Sequence, residues 1–284
     1  MENILIILSV FFFSATSTAE PAANSSRPLV LVSFGVLQSI AKEIGEDHFT
    51  FINISEKSDG HEFEPQPELI KNFKKAKGLI LNGLDYEPWF SQVKKHYSGP
   101  VLIASEGVSR LNLPDPHAWL DPVNGIIYAE NIKIFLIKLN PEAKTPLENK
   151  FENLRKKLLS ISTEAKTKFR TVKNKKVVTS HSSFNYLAKA LDLSFYSPQG
   201  SNAEQEPSAQ DLKNIIEIVR KEKISALFLE YGIPSGTLKT IARETKQDIS
   251  GTLYSDKLTE AAGPAPDYIS LVKVNLDKLY EALK

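Results

Sequence analysis

The sequence predicts an α/β protein of two doubly wound, parallel-sheet lobes joined by one long connecting helix. Three observations carry this reading. Short β-branched runs alternate with stretches whose apolar residues recur every three or four positions, the pattern of a parallel sheet covered by helices. The alternation stops near Asn140 and restarts near Lys175. Between them, "PLENKFENLRKKLLSISTEAKTKFRTV" sets Leu147, Phe151, Leu154, Leu158, Ile161, Ala165, Phe169 and Val172 on one helical face.

The elements follow in order. The first lobe, residues 27–140, opens with "PLVLVSF" as strand and "VLQSIAKEIG" as helix. "FTFINIS", "GLILNG" and "PVLIAS" follow as strands, with "PELIKNFKKA" and "EPWFSQVKKHY" as the helices between them. The helix "VNGIIYAENIKIFLIKLN" closes the lobe. The connecting helix occupies residues 141–173, with Pro146 suited to its first turn. At ~1.5 Å per residue the periodic segment from Pro146 to Val172 alone would run about 40 Å, enough to lie along both lobes. The second lobe, residues 174–284, repeats the order: strands "KKVVTS", "LSFYS", "ISALFLE" and "DISGTLYS" alternate with helices "FNYLAKAL", "SAQDLKNIIEIVRKEK" and "SGTLKTIARET", before a last helix "PDYISLVKVNLDKLYEALK".

Composition narrows the function. The chain has 284 residues, 42% hydrophobic and 24% charged, enough for one large core or two of ordinary size. Its formal charge is +1, and no basic block with interleaved aromatics points to nucleic acid or an anionic membrane. Residues Ile4 to Phe13 form an apolar run broken only by Ser9, followed by small residues at Ser17 and Ala19. Residues 1–19 therefore read as a cleavable signal peptide, although Glu2 is an unusual start for one. Cleavage removes one acidic and no basic residue, which moves the charge to +2. With no cysteine there is neither a disulfide nor a thiol to acylate. The expectation is a periplasmic monomer that is not a lipoprotein and has no direct membrane anchor.

Five histidines are present. His48 precedes a strand and His96 ends a lysine-rich helix, so both are expected to be solvated. His61, His117 and His181 each follow the carboxyl end of an expected strand, the edge at which open parallel sheets bind ligands. Asp256 follows "GTLYS" in the same way. Three imidazoles and a carboxylate suit a first-row divalent ion such as zinc, while loop hydrogen bonds and helix caps account for the same residues without one. Around His117 the stretch "LPDPHAWLDPVNG" stiffens the loop, because each proline fixes its own φ and restricts the aspartate before it. Asp115 or Asp121 is placed to accept the second ring N–H of His117. Pro122 is equally placed to open the following helix.

"DPHAWLDPVNGIIYAENI" closely resembles the signature of the zinc- and manganese-binding solute-binding proteins of ABC transporters, the ZnuA/TroA-like group (cluster A-I). "SDGHEFEPQPELIKNFKKAKGLILNGLDYEPWF", "VVTSHSSFNYLAKALDL" and "LYSDKLTEAAGPAPDYISLVKVNLDKLYEAL" resemble its other ligand segments, in order along nearly the whole chain. The resemblance implies His61, His117, His181 and Asp256 as metal ligands, and two lobes on one long helix. Asp115, Asp121, Glu62 and Glu230 are expected just outside the ligands, where Glu204 and Glu206 are also candidates to tune the site.

Two departures bear on the metal. Gly60 stands where many relatives have proline, and the His-rich acidic insertion of many zinc-specific members is missing between Ser105 and Asp115. His181 occupies a position where manganese carriers often have glutamate, and imidazole favours Zn²⁺, with Mn²⁺ as the alternative cargo.

The expected function is capture of a divalent ion, Zn²⁺ before Mn²⁺ or Fe²⁺, and delivery to a membrane permease driven by a cytoplasmic ATPase. The expected protein is not an enzyme. Binding to neutral imidazoles predicts that affinity falls as pH drops through about 6.5. The rival class is a zinc-dependent hydrolase with Glu62 or Glu230 as general base; an adhesin with a structural metal is a third.

Overall fold

A computed structural model of the chain describes residues 27–56, 63–64, 67–201 and 207–284. The signal peptide expected over residues 1–19 lies outside them. The first sheet holds β1 (Leu29–Val32), β2 (Thr50–Asn53), β3 (Gly78–Leu81) and β4 (Val101–Ile103) in the order β2-β1-β3-β4, all parallel. Its helices are α1 (Gly35–Gly45), α2 (Pro67–Lys75), α3 (Phe90–Val93) and α4 (Pro122–Leu139). The connecting helix is α5 (Lys144–Phe169), 26 residues long.

The second sheet holds β5 (Lys176–Val178), β6 (Ser194–Tyr196), β7 (Ala226–Glu230) and β8 (Ile249–Leu253) in the equivalent order β6-β5-β7-β8, again all parallel. Around it lie α6 (Asn185–Leu191), α7 (Ala209–Glu222), α8 (Gly236–Thr245) and α9 (Tyr268–Leu283). In each sheet the connections diverge after the first strand, so a crevice opens between the carboxyl ends of β1 and β3, and of β5 and β7.

Alternation along the strands sorts the side chains into layers. Val30 and Val32 face a core shared with α1, α4, α5 and α9, while Leu31 between them faces the other side with Leu79, Leu81, Phe73 and Trp89. In the second sheet Val177 and Phe228 join the shared core, and Val178 and Leu227 pack under Ile215, Val219, Leu238 and Ile241. Burial on both faces is what a parallel sheet requires and explains why these strands read as continuous apolar runs.

The shared core is continuous between the lobes. Helix α5 packs on α1 and α4 at one end and on α6 and α9 at the other. Helix α9 also crosses: besides packing on β7 and β8 it meets α1, where the Tyr268 backbone N–H donates to Ser39 Oγ at 2.9 Å. One element departs from expectation. The helix expected across "EPWFSQVKKHY" is a single α-turn, α3, followed by a 3-10 turn at Lys94–His96. The tighter winding delivers Tyr97 against Phe73, with ring centroids 5.8 Å apart, and its hydroxyl donates to the Pro100 carbonyl at 3.0 Å.

Candidate metal centre

His117 lies between the lobes and is fully buried. The segment before it is anchored from β3: Asn82 Nδ2 donates to the Pro116 carbonyl at 3.0 Å, and Tyr128 Oη donates to Asn82 Oδ1 at 2.7 Å. Asp115 Oδ1 accepts the His117 backbone N–H and lies against Nδ1, both at 2.8 Å. A carboxylate acceptor there places the ring proton on Nδ1 and leaves the Nε2 lone pair facing the cleft. Trp119 and Tyr86 wall the ring from the first lobe, with the His117 and Trp119 centroids 5.2 Å apart, and Phe34 packs against both of them.

The second lobe supplies the facing groups. His181 leaves β5 and Glu230 ends β7, at the crevice of the second sheet. Glu230 Oε1 accepts the His181 backbone N–H at 2.9 Å, and Ser183 Oγ donates to Oε2 at 2.9 Å. The same Oε2 stands 2.9 Å from His181 Nδ1, an ion-pair distance without hydrogen-bond alignment. Asp256 follows β8, and its Oδ2 accepts from Ser255 Oγ at 2.6 Å.

These supports aim three donors at one point. His117 Nε2 is 3.4 Å from His181 Nε2 and 3.2 Å from Asp256 Oδ1, and His181 Nε2 is 3.5 Å from Asp256 Oδ2. The three residues are buried, with ligand atoms all within 4.8 Å of one another. Zinc ligands at about 2.0–2.1 Å in a tetrahedron stand about 3.3–3.4 Å apart, so the spacing fits a first-row ion.

The electrostatics fit a cation too. Burial works against charge on His117, yet the charge of Asp256 and the hydrogen bonds of Asp115 and Asp256 outweigh it and push the imidazole up to about 10. His181 also rises: burial opposes its charge, and Glu230 and Asp256 overcome that. Burial would raise the Glu230 carboxyl, but the His181 charge and its hydrogen bonds hold it below the usual range. Carboxylates that favour imidazolium here favour a bound metal cation for the same reason.

The remaining expected residues divide. Asp121 does not reach the His117 ring's Nδ1, which Asp115 already holds; its side chain caps α4 by accepting the Val123 N–H at 2.9 Å, with Pro122 at the first helical position. Glu230 is committed to the His181 backbone and Ser183, which leaves it poorly placed to act as a general base. His61, Glu62, Glu204 and Glu206 lie outside the described residues. His48, half-buried, sits in the turn before β2, and His96 is exposed in the 3-10 turn. Sequence reasoning missed Asn82, Ser183 and Ser255, although Ser183 and Ser255 are within two residues of His181 and Asp256.

The sequence model of the family described as "Zinc-uptake complex component A periplasmic" matches residues 30–282. The chain belongs to that family. The chain is 30% identical over 99% of its length to a metal ABC transporter substrate-binding lipoprotein of Streptococcus sanguinis, covering 97% of that protein. It is 31% identical to a manganese ABC transporter substrate-binding lipoprotein of Streptococcus anginosus, covering 99% of this chain and 97% of that one. It is 31% identical to an iron ABC transporter substrate-binding lipoprotein of Streptococcus pyogenes, covering 97% and 96%.

The solved structure of a Mn-bound mutant periplasmic metal-binding protein from Candidatus Liberibacter asiaticus superposes with a TM-score of 0.85 at 26% identity, over 91% of this chain and all of that one. The periplasmic zinc-binding protein TroA of Treponema pallidum shares the fold, with a TM-score of 0.85 at 23% identity over 90% of this chain and 99% of that one.

The protein is thus a metal-binding component of an ABC transporter, binds a divalent metal, and is not a catalyst. One expectation is overturned. The protein was expected to be periplasmic, unanchored and not a lipoprotein, whereas the relatives matching nearly its whole length are named lipoproteins. A missing cysteine speaks to one chemistry of attachment and does not by itself place a protein.

Proposed function

We propose that the cargo is Zn²⁺, held by His61, His117, His181 and Asp256 and delivered to a membrane permease powered by a cytoplasmic ATPase. The observation that carries this reading is the convergence of two imidazole Nε2 atoms and one carboxylate, drawn from both lobes, each backed by a residue outside the cluster. Imidazole donors favour zinc over manganese on ligand softness. Because the ligands come from different lobes, separating the lobes dismantles the site, which supplies a route for release to the permease.

Calorimetric titration of metal-stripped protein with Zn²⁺ and with Mn²⁺ tests both parts. Zn²⁺ is expected to bind more tightly. Replacement of His61, His117 or His181 by alanine should cost at least about 100-fold in zinc affinity, more than the loss of an outer partner, and Asp256→Ala should cost less. Unchanged zinc affinity in His117→Ala would sink the site. A manganese or iron cargo is favoured by the names of relatives at 31% identity, and Mn²⁺ displacing Zn²⁺ at comparable concentration would select it.

A further inference from the structure

Asn185, the first residue of α6, joins the two loops that carry His117 and His181. Its Nδ2 lies 2.9 Å from Asp115 Oδ2, 2.9 Å from Ser182 Oγ and 3.3 Å from the Ser182 carbonyl. A carboxylate and a carbonyl only accept, so the amide must present its nitrogen to them, and its two N–H groups suffice to serve both sides. Asp115 is the residue whose other oxygen holds the His117 ring, and Ser182 is bonded in sequence to His181. Beside this contact, a cleft of about 290 Å³ runs between the lobes, lined by Leu84, Asp85, the segment from Arg110 to Asp115, and Tyr186.

The bond is therefore at the mouth of the cleft, and it exists only while the lobes are together. We infer that Asn185 is a positioning residue that latches the lobes closed around the ion by tying the carboxylate behind His117 to the loop of His181. This rests on the proposed reading of His117 and His181 as ligands. A latch made after the ion has entered slows its escape and leaves its arrival unchanged. A hydrogen bond to a carboxylate is among the stronger kinds, so its loss should accelerate release by about tenfold.

The test uses stopped-flow release of Zn²⁺ from the zinc-loaded full chain into excess chelator, with the association rate measured separately. Asn185→Asp keeps the side chain's shape but replaces the donor with a second carboxylate facing Asp115. The expected result is about tenfold faster release with an association rate within about twofold of wild type. Asn185→Ala should fall in the same direction, and metal-free unfolding midpoints report whether either variant merely weakens the fold.

Wild-type release rates in both single variants, or equal slowing of association, would each overturn the latch. Retained zinc affinity in His117→Ala would instead overturn the ligand assignment, so the two failures are distinguishable.

Discussion

Glu87 shows how much of the site's shape depends on one side chain that never faces the ion. Gly83, Leu84 and Asp85 carry φ angles of 81°, 53° and 67°, three successive residues in the left-handed region. Only glycine adopts it without cost. The Glu87 carboxylate secures that turn by accepting the backbone N–H groups of Asn82 at 2.6 Å and Gly83 at 3.0 Å. Burial pushes this carboxyl up to about 7, against the hydrogen bonds that hold it down. A raised carboxyl means the native state holds more protons than the unfolded chain between pH 4.5 and about 7. The stability it contributes is complete below that window and is lost as pH rises through it. Denaturant unfolding of metal-free protein at about pH 5 and about pH 7.5 should show a larger loss in wild type than in Glu87→Gln; equal losses would contradict the assignment. At this scale the sequence was legible where chemistry sits at a strand end. His117, His181 and Asp256 could be picked out that way, and Asp115 by its nearness to His117. Asn185, Asn82 and Glu87 could not, because their partners are set by turn geometry and by how the lobes meet.

The Tyr268 side chain of α9 reaches so close to Gly125 of α4 that a β-carbon there would lie 2.0 Å from Tyr268 Oη and 2.9 Å from its Cζ. That hydroxyl donates to the Trp119 carbonyl at 2.6 Å, two residues after His117. Gly125→Ala should destabilise the protein by about 1–3 kcal/mol through overpacking. Adding Tyr268→Phe removes the nearest atom and should recover part of the loss, read as urea midpoints; a Gly125→Ala midpoint equal to wild type would refute the close approach. The elements themselves were largely readable, since alternation of apolar runs and helical periodicity is local. The connecting helix was expected over residues 141–173, and α5 runs over Lys144–Phe169. What local pattern could not reveal was the shortening of α3, which follows from Tyr97 seeking Phe73, or the return of α9 to the first lobe. Both depend on partners far away in sequence.

Across the whole molecule the lobes are sewn together rather than hinged on a bare linker. Trp119 Nε1 donates to the Ser255 carbonyl at 3.0 Å, Tyr268 joins Trp119 and Ser39, and one apolar core runs through both sheets. Metal-free protein should therefore unfold in one calorimetric transition, with equal calorimetric and van't Hoff enthalpies. Two resolved peaks would show lobes that melt independently. Saturating Zn²⁺ should raise the midpoint, by an amount that grows with the logarithm of free metal. The fold class could be read in advance because it follows from the order of elements, whereas this coupling could not. It has a further consequence for how the chain is made. Synthesis runs from β1 to α9, so every other described element emerges before the helix that covers α1 and α5. The lobe translated first is thus completed no sooner than the lobe translated second, and until then its unfinished face must be kept from sticking to other newborn chains.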